Sequence, residues 1–188
     1  MQKPNSYDDV KVGGDFTPIA LGGHRIVIKN VDEGKSKNGK NMLTVYFDFA
    51  EDDKQPGYFT EQFKNDVRPD KKWPRAGTAY VVCEDDEGRC SKQLKGFITS
   101  FEESNKAEVV WGDKFTAQFK NKKIGGVYGE KENEWNGKTT LRHEFRWFCS
   151  VERADSATIP DPVLLDKPKK PDDGFMDITN DSDQMPWG

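Results

Sequence analysis

The sequence predicts a mainly β domain of five strands with one helix set among them. Asn136-Gly137 falls between two strand-like runs, and this is a strong hairpin signal because a type I′ turn needs positive φ at both central residues. Between Met42 and Ala50, Leu43, Val45, Phe47 and Phe49 alternate with Thr44, Tyr46 and Asp48, the pattern of a half-buried strand. After Ser91, a plausible N-cap, Leu94, Phe97, Ile98 and Phe101 form a helical stripe through Ser104.

The elements follow in order. Residues 1–18 are a polar lead-in. The first strand spans Ile19 to Glu33, and the loop Gly34–Lys40 turns at Asn38-Gly39 and carries Lys35, Lys37 and Lys40. Met42–Ala50 is the second strand, with Tyr46 on its polar face. After the turn-forming stretch Asp52–Gly57, Tyr58–Phe63 reads as the third strand, with Phe59 and Phe63 on one face. Asp66–Gly77 reads as an exposed loop bearing Lys71, Lys72, Trp73 and Arg75, and 78–83 is a short apolar run. The helix comes next, then short extended pieces around Val109-Val110-Trp111 and Phe115–Phe119; Trp111 receives no role. The closing hairpin runs from Lys122 to Arg153. Strict alternation turns Leu141, His143, Phe145, Trp147 and Cys149 toward the core and Arg142, Glu144, Arg146 and Phe148 outward, with Trp135 at the tip.

Composition divides the 188 residues further. Hydrophobic residues make up 34% and charged residues 33%, so part of the chain is expected outside any core. Pro160, Pro162, Pro168 and Pro171, with Lys167, Lys169 and Lys170, mark an extended linker. Residues 172–188 hold five aspartates and no lysine or arginine; without them the net charge of −4 becomes about +1. The expected organisation is an arm over 1–18, a domain over 19–155, a linker over 156–171 and an acidic tail over 172–188. The absence of a membrane-length apolar run or a signal-peptide core leads us to expect a soluble cytoplasmic protein. The odd set Cys83, Cys90 and Cys149 argues against a disulfide framework, and with two histidines no metal or cofactor is expected. No phosphate-cradling, zinc-protease or serine-hydrolase motif occurs, so the expected role is not enzymatic. The acidic turn Glu84–Glu87 keeps a Mg²⁺-dependent nuclease as a third reading.

Three strands, a helix and two more strands is the order of an OB-fold, a five-stranded Greek-key barrel that binds oligonucleotides or oligosaccharides across strands two and three, between two flanking loops. Cations track phosphates and flat side chains stack on unpaired bases. The candidate single-stranded DNA site is therefore Lys35, Lys37 and Lys40 in one loop, Trp135 and Lys138 in the other, Tyr46 and Tyr58 on the strand face, Trp73 and Arg75 from the loop before the helix, and Arg142, Arg146 and Phe148 on the last strand. A homo-oligomer formed through strand edges is compatible with this scheme. An adaptor that binds proteins and little DNA is the alternative.

The tail has its own logic. Aspartates keep a segment solvated and steer it toward basic surfaces, and an apolar tip can then fill a pocket. Asp181, Asp183, Met185, Pro186 and Trp187 resemble the acidic tip of bacterial single-stranded DNA-binding proteins, although tryptophan replaces the terminal phenylalanine and Gly188 follows it. The body, about residues 19–155, resembles a family of single-stranded DNA-binding proteins encoded by phages and mobile elements of Gram-positive bacteria. The matching pieces are Leu21-Gly22-Gly23-His24, Tyr58-Phe59-Thr60-Glu61, Lys95 to Asn105, Lys122 to Glu130 and Phe148-Cys149-Ser150-Val151. The resemblance implies an OB-fold protein in the host bacterial cytoplasm that coats single strands during DNA replication or recombination, with its tail recruiting proteins of those processes.

Overall fold

The computed structural model describes residues 2–3, 7 and 17–165. The acidic tail, with Asp181, Asp183, Met185, Pro186 and Trp187, lies outside the described residues, as does the linker from residue 166 on. Five antiparallel strands form one sheet: β1 (Gly22–Lys35), β2 (Asn41–Phe49), β3 (Thr78–Val82), β4 (Lys123–Trp135) and β5 (Lys138–Cys149). Their order is β3-β2-β1-β4-β5, so the sheet is not closed and β3 and β5 are its edges. Among the described residues three α-helices accompany it: α1 (Tyr58–Asn65), α2 (Lys92–Asn105) and the short α3 (Val151–Asp155). The mainly β expectation holds, with a helix between the third and fourth strands. No helix of the described residues is long and apolar enough to cross a membrane.

The third strand is corrected. Tyr58–Phe63 is helical, and the strand is Thr78–Val82, inside the apolar run that follows. Phe59 and Phe63 share a face in a helix through their i, i+4 spacing, and a tertiary contact decides between the two readings. Asp48, at an outward position of β2, is 1% exposed. Its carboxylate accepts hydrogen bonds from the backbone N–H groups of Phe59 (2.9 Å) and Thr60 (3.1 Å), from the Thr60 hydroxyl, and from the Phe49 N–H (2.9 Å). A strand residue thus caps α1, whose own N-cap position is Gly57 with no side chain to offer.

The other elements obey local chemistry. Ser91 caps α2 by accepting the Leu94 N–H at 3.0 Å, and its hydroxyl donates to the Val82 carbonyl. Asn136 and Gly137 take φ values of 50° and 72°, as the hairpin requires. The core lies between the inner sheet face and α2. Ile26, Ile28, Val45, Phe47 and Phe49 meet Phe97 and Phe101, with Phe59 and Phe119 filling the flanks. Tyr128 is fully buried among these rings and donates its hydroxyl to the Ala76 carbonyl at 2.6 Å, and burial pushes its phenol well above the usual range. On the outer face, α3 lies so close to β1 that a Cβ at Gly23 would stand 1.8 Å from the Ala154 carbonyl oxygen. Val127, Cys149 and Ala154 make a second small core there.

Replacing Asp48 with Ala leaves buried donors without an acceptor and should cost about 2–4 kcal/mol in urea unfolding, with loss of helical signal from α1. Burial also pushes the Cys149 thiol up to about 11. The folded thiol holds its proton to higher pH than the unfolded one, so its contribution is intact below about pH 8.5 and is lost as pH rises toward the folded value. The urea midpoint should fall across this alkaline window, and less steeply in Cys149→Ala.

Candidate functional site

Among the described residues each edge strand has one partner, and some of its backbone groups turn away from it. The Cys83 N–H bonds the Asn41 carbonyl at 2.8 Å, so residues 79 and 81 face β2 and Tyr80 directs its N–H and C=O off the free edge. Its neighbours on that edge are satisfied locally: the Val82 N–H by the Gln93 side chain at 3.0 Å, and the Thr78 N–H by the Arg75 carbonyl. On β5, the two-residue hairpin fixes the alternation, so His143 and Phe145 turn their backbone groups off the other free edge.

Between these edges opens a cleft of about 870 Å³. Thr78 and Tyr80 line it from β3, and residues 142–148 line it from β5. Lys92, Gln93, Gly96 and Phe97 of α2 border it, as do Arg75 and Lys131. Five cations therefore meet at one opening: Arg75, Lys92, Lys131, Arg142 and Arg146. Two carboxylates share the lining. Glu144 stands 3.4 Å from Lys131, and Glu132 accepts the Leu165 N–H at 2.8 Å. Arg146 is steadied by donating to the Glu130 carbonyl at 3.2 Å.

One irregularity of β5 decides which aromatics face this opening. Phe145 lies opposite Tyr128 but Trp147 lies opposite Val127, so Arg146 is an extra residue, a bulge. Alternation reverses across it, and the expected roles of Trp147 and Phe148 are corrected. Phe148 packs into the core, with ring centroids 4.6 Å from Phe145 and 4.9 Å from Phe97. Trp147 is 46% exposed. Glycine makes room for the packed pair, because a Cβ at Gly126 would come within 2.9 Å of the Phe145 ring.

The residues selected from sequence separate into groups. Arg75, Arg142, Arg146 and Phe148 line the cleft, the last with its ring packed against the core. Lys35, Lys37 and Lys40 sit at the β1–β2 hairpin, where Lys35 donates to the Asn41 side chain at 2.7 Å and Lys40 pairs with Asp86. Trp135, 73% exposed, and Lys138 flank the tip of the β4–β5 hairpin. Tyr46 is half-buried on the outer sheet face, and the Tyr58 hydroxyl donates from α1 to the Thr17 carbonyl at 2.7 Å. Trp73 is structural: its indole N–H donates to the Gly77 carbonyl at 3.0 Å and its ring packs against Phe63. Asp85 of the acidic turn closes its own loop, accepting the Glu87 and Arg89 N–H groups and the Arg89 side chain, each at 2.9 Å.

Tyr80, Lys92, Lys131 and Trp147 were not selected from sequence. The Tyr80 signal was available, since its run becomes an edge strand once Tyr58–Phe63 is removed from the sheet. Trp147 was concealed by the bulge. A scan against protein-family models and a search of the curated proteins gave no match to this chain.

The bulge makes opposite demands on adjacent aromatics. Phe148→Ala should lower stability by about 3 kcal/mol in chemical denaturation, whereas Trp147→Ala should cost less than about 1 kcal/mol.

Proposed function

We propose that this protein binds single-stranded DNA in the cleft between β3 and β5, and that its sheet is an OB-fold barrel left open along that seam. The strand order supports the fold reading. An OB barrel unrolled between its third and fifth strands reads β3-β2-β1-β4-β5, with the helix between strands three and four packed beside the seam.

The observation that carries the functional reading is the lining of the cleft, where Arg75, Lys92, Lys131, Arg142 and Arg146 accompany Tyr80 and Trp147. The cations bind phosphates and release counterions, which makes affinity salt-dependent. The aromatic rings stack on unpaired bases at roughly 1–3 kcal/mol each. A duplex keeps its base faces stacked on one another, so exposed rings favour a single strand. The N–H groups of Tyr80, His143 and Phe145, without a partner among the described residues, add fixed donors for phosphate or base oxygens. Lys35, Lys37, Lys40, Trp135 and Lys138 would extend the path on either side. Coating of single strands in phage or mobile-element replication or recombination, with proteins of those processes recruited by the tail, completes the proposal.

The free edges favour one second reading, an adaptor that accepts an extended peptide by strand addition. Fluorescence anisotropy with labelled oligo-dT separates the two. Binding should weaken as salt rises. Arg142→Ala combined with Arg146→Ala should reduce both affinity and salt slope, and Trp147→Ala should weaken binding roughly 5- to 100-fold with little change in slope. Absence of binding at low salt by a form lacking 172–188 overturns the proposal. Degradation of the oligonucleotide with Mg²⁺ replaces it with the nuclease reading.

A further inference from the structure

Gly96 occupies the middle of α2, and nothing in the fold calls for glycine there. Its backbone is helical, and a Cβ added to it would meet no atom within 4 Å. Glycine weakens a helix interior, and alanine or leucine would strengthen this one. The residue is exposed and lines the cleft, on the same helix face as Lys92 and Gln93, four and three positions before it. Phe97 continues the lining beside it. The missing side chain leaves a notch in the α2 wall of the cleft, where a flat group can approach the helix backbone closely.

Gln93 stands beside this notch with the orientation of its amide decided. Its side-chain oxygen accepts the Val82 N–H at 3.0 Å. A backbone N–H can only donate, so the oxygen faces β3 and the amide NH2 is left for another acceptor. That NH2 has no partner among the described residues. The neighbouring Lys92 ammonium is a donor too, so the α2 side of the cleft offers donors and no free side-chain acceptor. The two carboxylates of the lining stand on other elements and are engaged there. Glu132 of β4 accepts the Leu165 N–H, and Glu144 of β5 lies beside Lys131.

A nucleotide held by its phosphate at the cationic opening enters base first, and the edge farthest from the sugar leads. That edge carries a carbonyl oxygen in thymine and guanine and an amino group in cytosine and adenine. We infer that Gln93 and the Gly96 notch form a base-reading subsite within the cleft, which selects the bases with the carbonyl. The Gln93 NH2 donates to that oxygen, whereas an amino group sets donor against donor. The subsite rests on the single-stranded DNA reading above and adds base selection to it.

Fluorescence anisotropy of the full chain with labelled oligo-dT and oligo-dC of equal length tests this. Oligo-dT should bind about 3- to 10-fold more tightly. Differences in stacking and flexibility belong to the DNA and are common to all variants, so a change in the ratio between variants isolates the protein's part. Gln93→Met removes the donor and should lower the ratio about 3-fold or more. Gln93→Glu keeps an acceptor for the Val82 N–H but accepts from the cytosine amino group, so it should weaken both strands and turn the ratio toward oligo-dC. Gly96→Leu fills the notch. It should raise the urea midpoint through helix propensity yet weaken oligo-dT binding about tenfold, opposite signs that a purely structural glycine would not give. Both positions are exposed, and the urea midpoint checks that each variant is folded. A ratio unmoved by Gln93→Met and Gln93→Glu overturns the inference and leaves the single-stranded DNA reading standing, as does Gly96→Leu with unchanged affinity. No binding of either strand at low salt overturns both.

Discussion

One extra residue in β5 sets the character of the cleft. Arg146 has no counterpart on β4, and the strand recovers its pairing only by reversing which side chains face inward. Phe145 and Phe148 consequently enter the same core, their rings 4.6 Å apart, where uninterrupted alternation would put them on opposite faces. The same reversal brings Trp147 out beside Arg142 and Arg146. Without the bulge Trp147 would lie inward and Phe148 outward, and the cleft would keep its charge but exchange its exposed ring.

The bulge is possible because of what lies opposite. β4 carries Gly125, Gly126 and Gly129 where a Cβ would strike, respectively, the Ser150 carbonyl oxygen at 2.5 Å, the Phe145 ring at 2.9 Å and Pro160 at 2.6 Å. Glycine weakens an ordinary strand, and here it creates close-approach surfaces on both faces of β4. One admits the paired phenylalanines, another admits the turn into α3, and a third admits the returning C-terminal segment. The Gly-Gly-Val-Tyr-Gly run is therefore a packing surface in which Tyr128 supplies the one large buried ring.

How much of this could be read in the sequence follows from where each determinant resides. The Asn136-Gly137 turn, the β2 alternation and the Ser91 cap are local, set by residues within a few positions of one another, and they stand in the structure. Tyr58–Phe63 failed because its helix is capped by Asp48, a residue on another element that looks like an ordinary polar strand position. The exchange of Trp147 and Phe148 failed because a bulge is a property of two strands together. Trp73 looked available for contact between lysines and a Pro-Arg pair, but its indole N–H donates to the Phe47 carbonyl of β2 at 3.2 Å as well as to Gly77. Arg75, Arg142 and Arg146 reach the cleft because long cationic side chains on edge or loop positions find solvent wherever the register falls.

The open seam and the charge pattern have a common physical origin. A sheet edge exposes unpaired backbone groups and invites association, and charge is a usual means of discouraging strand pairing there. Along the cleft between β3 and β5 that charge is mostly positive, five cations against Glu132 and Glu144. The near-neutral body thus conceals a basic seam at one place on its surface. Clustering of charge within the domain, more than its total, sets the field at the cleft.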